Sequence, residues 1–392
     1  MRPVPVRSAP VRRVPARRAS ALAIAGVAAV SMSLLSACGG DDGEAEATDS
    51  IAVTATDDSC EVAKKDLPAG KTTFKVSNKG SKVNEFEVLK PDGKILAERE
   101  NIGPGTKVDF VVSLPAGTYK LLCSAGQTGK GPSQDITVSG QANGTGDQRL
   151  TKAAADYKAY VIARVDDTIA KTRLFVDAVK KNDVDKAKEL YAPSRVGWEA
   201  IEPVAEKFGD IDPKVDAREA DLSPAEKKDW SGWHLLEKAL WKDGSVKGKE
   251  EYGDRLLADL AVLKGRLPGL TLDPVNDMAA GAKELLDEVA TGKVTGEEET
   301  FSHTDLVDFK ANVDGARKVY ELLKPVVQEK DAQLAKDLDD NFGAVEALLE
   351  KYEKGDGYVS YDKVGKDDRK KLADAVNALG EPLSKLAGAV AK

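Results

Sequence analysis

The sequence predicts two domains of different class, an all-β sandwich followed by an all-α helical bundle. Three observations carry this reading. Residues 51–139 alternate apolar and polar side chains with a period of two. From residue 150 onward the apolar residues recur at three- and four-residue steps, and the glycine-rich stretch GQANGTGDQ lies between the two patterns. A chain of 392 residues, 41% hydrophobic and 32% charged, can build two such cores and does not have the composition of a disordered or polytopic protein.

Residues 1–37 stand apart from both domains. MRPVPVRSAPVRRVPARRAS holds six arginines and no acid, and ALAIAGVAAVSMSLLSA follows as a short apolar run. A basic, then apolar, then small-residue order predicts a secretory signal peptide, and the run is too short and too rich in alanine for a permanent span. Leu35–Ser36–Ala37–Cys38 resembles a bacterial lipobox, which would make Cys38 the lipidated first residue of the mature chain. Residues 38–50 then form a flexible tether. The alternative is a plain cleaved signal with an incidental cysteine. Arg17–Arg18 is a weak twin-arginine export signal, because its flanking residues are incomplete. Loss of six arginines takes the formal charge from −8 to −14 on the mature chain. An exported chain this acidic lacks the basic footprint that nucleic acid requires and suits cations instead. Cys60 and Cys123 remain as an even pair in an oxidising compartment.

Within 51–139, IAVTAT, TTFKV, EFEVL, VDFVV, TYKLL and DITVS are strand-like, and PAGK, SNKGS, KPDGK, IGPGT and LPAGT separate them as turns. Six to eight short strands in this length predict a sandwich. Residues 140–150 form the linker. Over 151–392, stretches such as DRLLADLAVLKGRL and DGARKVYELLKPVVQEK carry one apolar face. LPGLTLDP at 267–274 divides this region into halves, each with one of the two histidines, so two related bundles are an alternative to one.

The stretch WSGWHLLEKALW carries the first histidine. On a helix running from Trp230 to Trp241, Glu237 lies about 60° from His234, Trp241 about 20° and Trp230 about 40°. All four side chains then share a buried face. A buried glutamate must be paired, protonated or bound to metal, and His and Glu at i, i+3 are spaced as helical bundles space metal ligands. The other reading is a core histidine hydrogen-bonded to Glu237. Upstream, Glu199 and Glu202 stand at i, i+3 beside Trp198, and Asp216, Glu219 and Asp221 follow Pro213. These oxygen donors with one imidazole suit Fe or Zn better than Cu(I). His303, with Glu299, Asp305 and Asp308 around it, marks a candidate second acidic cluster. A zincin would need HExxH, and Glu237 is followed by KALW, so hydrolysis by a known mechanism has little support.

YAPSRVGWEAIEPVAEKFGDIDPKVDAREAD, GWHLLEKALW and SHTDLVDFKANVDGA together resemble the imelysin-like (peptidase-M75-like) domain of the EfeO family, extracytoplasmic iron-uptake lipoproteins. Residues 51–139 resemble the same family's cupredoxin-like domain through Asp58–Ser59–Cys60–Glu61, Asn84–Glu85–Phe86–Glu87–Val88–Leu89, Glu98–Arg99–Glu100–Asn101–Ile102 and Gly117–Thr118–Tyr119–Lys120–Leu121–Leu122–Cys123. The resemblance implies a cupredoxin-like Greek-key sandwich followed by an imelysin-like helical bundle. It implies a helical-domain metal site at His234, Glu237, Glu199 and Asp216, and a second at Cys60, Cys123, Glu85 and Glu87. A blue-copper centre is excluded, because residues 51–139 contain no histidine. A Cys60–Cys123 disulfide is the alternative to thiolate ligation. Glu85 and Glu87, at i, i+2, share a sheet face if the strand is regular.

The resulting expectation is a non-enzymatic, lipid-anchored protein on the outer face of the cell membrane. It would capture Fe2+ or Fe3+ as cargo, with Cu2+ or Zn2+ able to enter the same sites. By family analogy it would deliver iron to an EfeU-like permease alongside an EfeB-like haem peroxidase. The alternatives are an HxxE metallopeptidase and a polysaccharide-binding lipoprotein.

Overall fold

The computed structural model describes residues 50–93, 95–126, 129–140 and 147–391. The expected signal peptide, Cys38 and most of the tether and linker lie outside them.

The sandwich is built from β1 (Ile51–Ala55), β2 (Cys60–Val62), β3 (Asp66–Pro68), β4 (Gly70–Asn78), β5 (Asn84–Leu89), β6 (Ile95–Ile102), β7 (Lys107–Leu114), β8 (Gly117–Ala125) and β9 (Ser133–Ser139). One sheet has the order β2-β1-β4-β7 and the other β3-β9-β8-β5-β6, with β1/β4 and β3/β9 parallel. The strands outnumber the six to eight expected because β2 and β3 have three residues each, too short to show a period. The alternating buried residues meet between the sheets, where Phe86 packs edge-on against Phe74 and Phe110 at 5.4 and 5.8 Å.

Cys60 and Cys123 are joined as a disulfide. Thiolates rather than disulfide sulfurs ligate metals, so the expectation that these cysteines are ligands is corrected. Register gives a second reason. Cys123 is paired with Phe86 and faces the sandwich core, whereas Glu85 and Glu87 are paired with Ser124 and Leu122 on the opposite face. The bridge closes a 63-residue separation, for which loop entropy predicts about 4 kcal/mol. Cys60→Ser/Cys123→Ser should therefore lower sandwich stability by about 2–4 kcal/mol in urea melts and leave metal stoichiometry unchanged. Loss of a bound ion in that variant would restore the thiolate reading.

The helical region comprises α1 (Gln148–Lys180), α2 (Val184–Glu199), α3 (Glu202–Glu206), α4 (Asp212–Val215), α5 (Trp233–Trp241), α6 (Glu250–Arg266), α7 (Ala280–Glu288), α8 (Asp305–Lys330), α9 (Ala332–Leu349) and α10 (Lys366–Val390). The break at 267–274 is real but local. Buried side chains from Leu150 to Val390 form one continuous core, so the two halves pack as one body. The helices dock where β6 and β7 come together. Asn276 exchanges two 2.8 Å hydrogen bonds with the Ser113 backbone on the edge strand β7, and Arg99 pairs with Asp287 at 2.7 Å.

Helix α5 begins at Trp233, not Trp230. Gly232 has φ +91°, and a Cβ there would sit 2.2 Å from the Val215 carbonyl oxygen, so only glycine lets the chain turn into the helix this close to the end of α4. Trp230 lies outside the helix and donates its indole N–H to Ala217 O at 2.6 Å.

Candidate metal centre

Four segments bring charge into the middle of the helical region. Helix α2 carries Arg195 and Glu199 one turn apart, with Trp198 beside them, and Asp216 caps the C-terminus of α4. Helix α5 supplies His234 and Glu237. The segment before α8 supplies Glu298 and Glu299, and the first turn of α8 adds Asp305 and Asp308. Of these, Arg195, Glu199, Glu299, Asp305 and Asp308 are 0% exposed, and His234 and Glu237 are 2% and 1%. The acids that the sequence placed in a second cluster around His303 thus join the His234 cluster. His303 does not: it holds φ +58°, its side chain is 39% exposed, and its nearest acid is Asp362 at 3.9 Å.

Carboxylates lie against both imidazole nitrogens. Nδ1 is 3.0 Å from Glu237 Oε2, while Nε2 faces Asp216 Oδ1 at 3.4 Å and Glu298 Oε1 at 3.6 Å without a hydrogen bond. Glu237 Oε1 accepts from the backbone N–H groups of Phe301 and Ser302 at 2.8 and 2.7 Å. Donor atoms of His234, Glu237 and Glu299 lie within 4.8 Å of one another, as do those of Glu199, Asp216 and Glu298. Ligands bonded at about 2.0–2.2 Å to one cation stand no further apart than this. Orphaned acceptors strengthen the case, because neither oxygen of Asp308 and only one of Asp305 has a hydrogen-bond donor.

Two buried cations offset part of this negative charge. Arg195 bonds Asp216 and Glu199, lies 2.8 Å from Glu299 Oε1, and approaches Asp308 at 3.5 Å and Glu298 at 3.6 Å. Trp233 stacks over its guanidinium at 5.6 Å, and Trp198 donates to Asp216 Oδ2 at 2.6 Å. Lys293 is the second cation. Burial drives the Glu299 carboxyl up to about 8, reinforced by Glu237 and opposed by Arg195 and His234. It also drives Asp308 well up despite Arg195. Burial opposes charge on His234, as does Arg195, yet the carboxylates of Asp216, Glu237 and Glu298 lying against its two nitrogens outweigh both and raise its pKa. Asp216, Glu237 and Glu298 are held low against burial, Asp216 by Arg195 and His234, Glu237 by His234, and Glu298 by Lys293 and His234. The metal-free pocket therefore retains protons that a cation can displace.

A cavity of about 210 Å³ opens the centre to solvent between Arg218, Lys227, Phe301, His234 and Glu237. Arg218 stands at its mouth, paired with Asp221 at 2.6 Å and Glu298 at 3.1 Å.

All four helical-domain residues expected as ligands converge, with Glu199 set between Arg195 and Lys293 rather than against the imidazole. Arg195, Lys293 and Glu298 were missed. Arg195 had a signal in its i, i+4 spacing to Glu199, whereas Lys293 and Glu298 reach the site only through packing. In the sandwich, Glu85 meets Glu98 and Glu100 within 4.8 Å, on the face turned toward α7. The Glu98-x-Glu100 repeat of the Glu85-x-Glu87 pattern was the available clue. Burial raises Glu98 to about 9, with Glu284 of α7 adding to it, and raises Glu87 to about 7.

A sandwich joined to helices that enclose a histidine among carboxylates defines a two-domain protein of the cupredoxin-plus-imelysin class. Family models agree: the imelysin model (Peptidase M75) matches residues 153–386, and the cupredoxin-like domain model matches residues 22–132. The chain belongs to the imelysin family and, within it, to the EfeO group. It is 40% identical over 344 residues to proteins named iron uptake system component EfeO from Escherichia coli and Shigella flexneri, covering 86% of this chain and 90% of each relative. A crystal structure of a protein described as an iron-regulated protein A precursor, from Parabacteroides distasonis, is 16% identical. It covers 62% of this chain and 95% of that one with a TM-score of 0.46.

Proposed function

We propose that the chain is the extracytoplasmic iron-binding component of an uptake system, taking up a free iron ion at His234 and releasing it to a membrane permease. The observation that carries this is the buried imidazole with carboxylate oxygens against both nitrogens and, around it, Asp305 and Asp308 oxygens that accept no hydrogen bond. His234, Glu237 and Glu299 would bind the ion, with Asp216 and Glu298 on the Nε2 side. Glu85, Glu98 and Glu100 would form an outer, all-carboxylate position, with Glu87 beside it. Oxygen donors with one imidazole favour iron over softer ions. A carrier fits better than a hydrolase. KALW follows Glu237 and no second histidine stands one turn on, so the zincin arrangement for activating water is missing. Membrane attachment through lipidated Cys38, with an EfeU-like permease and an EfeB-like haem peroxidase as partners, belongs to the same proposal. Among the described residues no helix is long and apolar enough to cross a membrane.

Metal titration of the purified mature chain tests the centre. With Fe(II) under anaerobic conditions, Fe(III), Zn(II) and Cu(II), His234→Ala/Glu237→Ala is expected to bind one ion fewer than the parent. Iron affinity should fall by at least roughly 100-fold at that position, since two ligands are lost. Unchanged stoichiometry and affinity would rule the helical centre out.

A further inference from the structure

Lys293 is 2% exposed, and its ammonium lies 3.0 Å from Glu199 Oε2, 3.4 Å from Glu288 Oε2 and 3.5 Å from Glu202 Oε2. The acids come from the end of α2, the start of α3 and the end of α7, while Lys293 closes the π-helical turn Val289–Lys293 that follows α7. Glu199 Oε2 and Glu202 Oε2 are buried and accept no hydrogen bond, so the ammonium meets them as a charge alone. Immediately beside them, oxygens of Glu202, Asp212 and Asp216 lie within 4.8 Å of one another, and those of Glu199, Asp216 and Glu298 do the same. Asp216 belongs to both groups and also faces His234 Nε2 at 3.4 Å.

This is the layout of two neighbouring cation positions sharing a carboxylate, the arrangement by which helical bundles hold metal pairs. One position is the His234 centre. We propose that Lys293 supplies the charge of the second cation, so that the site takes a single transition-metal ion instead of a pair. A divalent ion among Glu202, Asp212 and Asp216 would need oxygens at about 2.0–2.2 Å and would stand beside the Lys293 ammonium, which already lies 3.5 Å from Glu202 Oε2. In a low-dielectric interior the two cations repel strongly at such separations. Lys293 is therefore a specificity residue for stoichiometry. It suits a carrier, which hands on one ion by exchanging one set of ligands.

The inference rests on the His234 centre being a metal site, and the test separates the two. Zn(II), which undergoes no redox change, is equilibrated with the mature chain at neutral pH and bound metal is measured by elemental analysis. Lys293→Met is expected to bind one more ion per chain than the parent, and Lys293→Arg the same number as the parent. Adding Lys293→Met to His234→Ala/Glu237→Ala should return one ion that the double variant lacks. If Lys293→Met binds no more zinc than the parent, the proposal is wrong. Equal zinc in the parent and in His234→Ala/Glu237→Ala overturns the His234 centre itself. Should Lys293→Met be unfolded without metal, refolding that saturates at one ion more than the parent binds supports the proposal. Refolding at parental stoichiometry, or no response to zinc, overturns it.

Discussion

Arg195→Met is expected to destabilise the metal-free helical domain by about 3–5 kcal/mol, the usual consequence of removing one partner from a buried ionic network. The guanidinium is fully buried and touches carboxylates of Glu199, Asp216, Glu298, Glu299 and Asp308. The guanidinium is their shared counter-charge at 0% exposure, so without it these acids must take up protons or repel one another. A loss of this size is a large share of the roughly 5–15 kcal/mol that holds a domain folded. All four tryptophans lie at 198, 230, 233 and 241, so urea denaturation followed by indole fluorescence reads the helical domain without contribution from the sandwich. Replacing Asp308 by Asn and Glu299 by Gln in the same chain should recover part of the loss. A single variant within about 1 kcal/mol of the parent would show that the network is slack and contradict the geometry.

The second large effect is on pH. In the metal-free chain Glu299 is raised from 4.5 to about 8, and Asp308 and His234 are raised as well. Each prefers its proton when folded, so its stabilising contribution is complete below the unfolded value and is lost as pH climbs through the folded one. Asp216, Glu237 and Glu298 are depressed and act the other way, stabilising above the usual carboxylate range and failing only as pH falls below it. Metal-free stability is therefore expected to decline between about pH 6 and pH 8, while the loaded chain, whose ion replaces those protons, stays level. Binding must expel roughly one to two protons, so affinity for Fe(II) or Zn(II) should rise about 10- to 100-fold per pH unit from 5.5 to 7.5. Isothermal titration in buffers of different ionisation enthalpy counts the protons directly. A flat affinity profile, or metal-free stability that rises toward pH 8, would contradict these assignments.

Particular residues show how far the chain could be read in one dimension. The spacing of His234 and Glu237 is helical and local, so their shared face was legible, and so was the pairing of Glu85 with Glu87. The extension of that helix back to Trp230 was not. Gly232 ends it, because a Cβ there would collide with the Val215 carbonyl, and nothing local in the sequence reveals that neighbour. Likewise the acids near His303 looked like a separate cluster until the chain between α7 and α8 folded them onto α5. The histidine itself stays at the surface. The cysteines were legible as a pair, but the choice between bridge and ligand depended on register: Cys123 shares its face with Phe86, not with the glutamates.

Periodicity and composition by themselves determined the two domain classes and the shared helical face of His234 and Glu237, because those follow from side chains within a few residues of one another. Only the tertiary structure decided that Glu298, Glu299 and Asp308 would meet them, that Arg195 and Lys293 would sit among the acids as internal cations, and that the sulfurs would close on each other. Contacts such as that of Asn312 with Glu199, separated by 113 residues, are selected by the packing of whole helices. No local spacing encodes them.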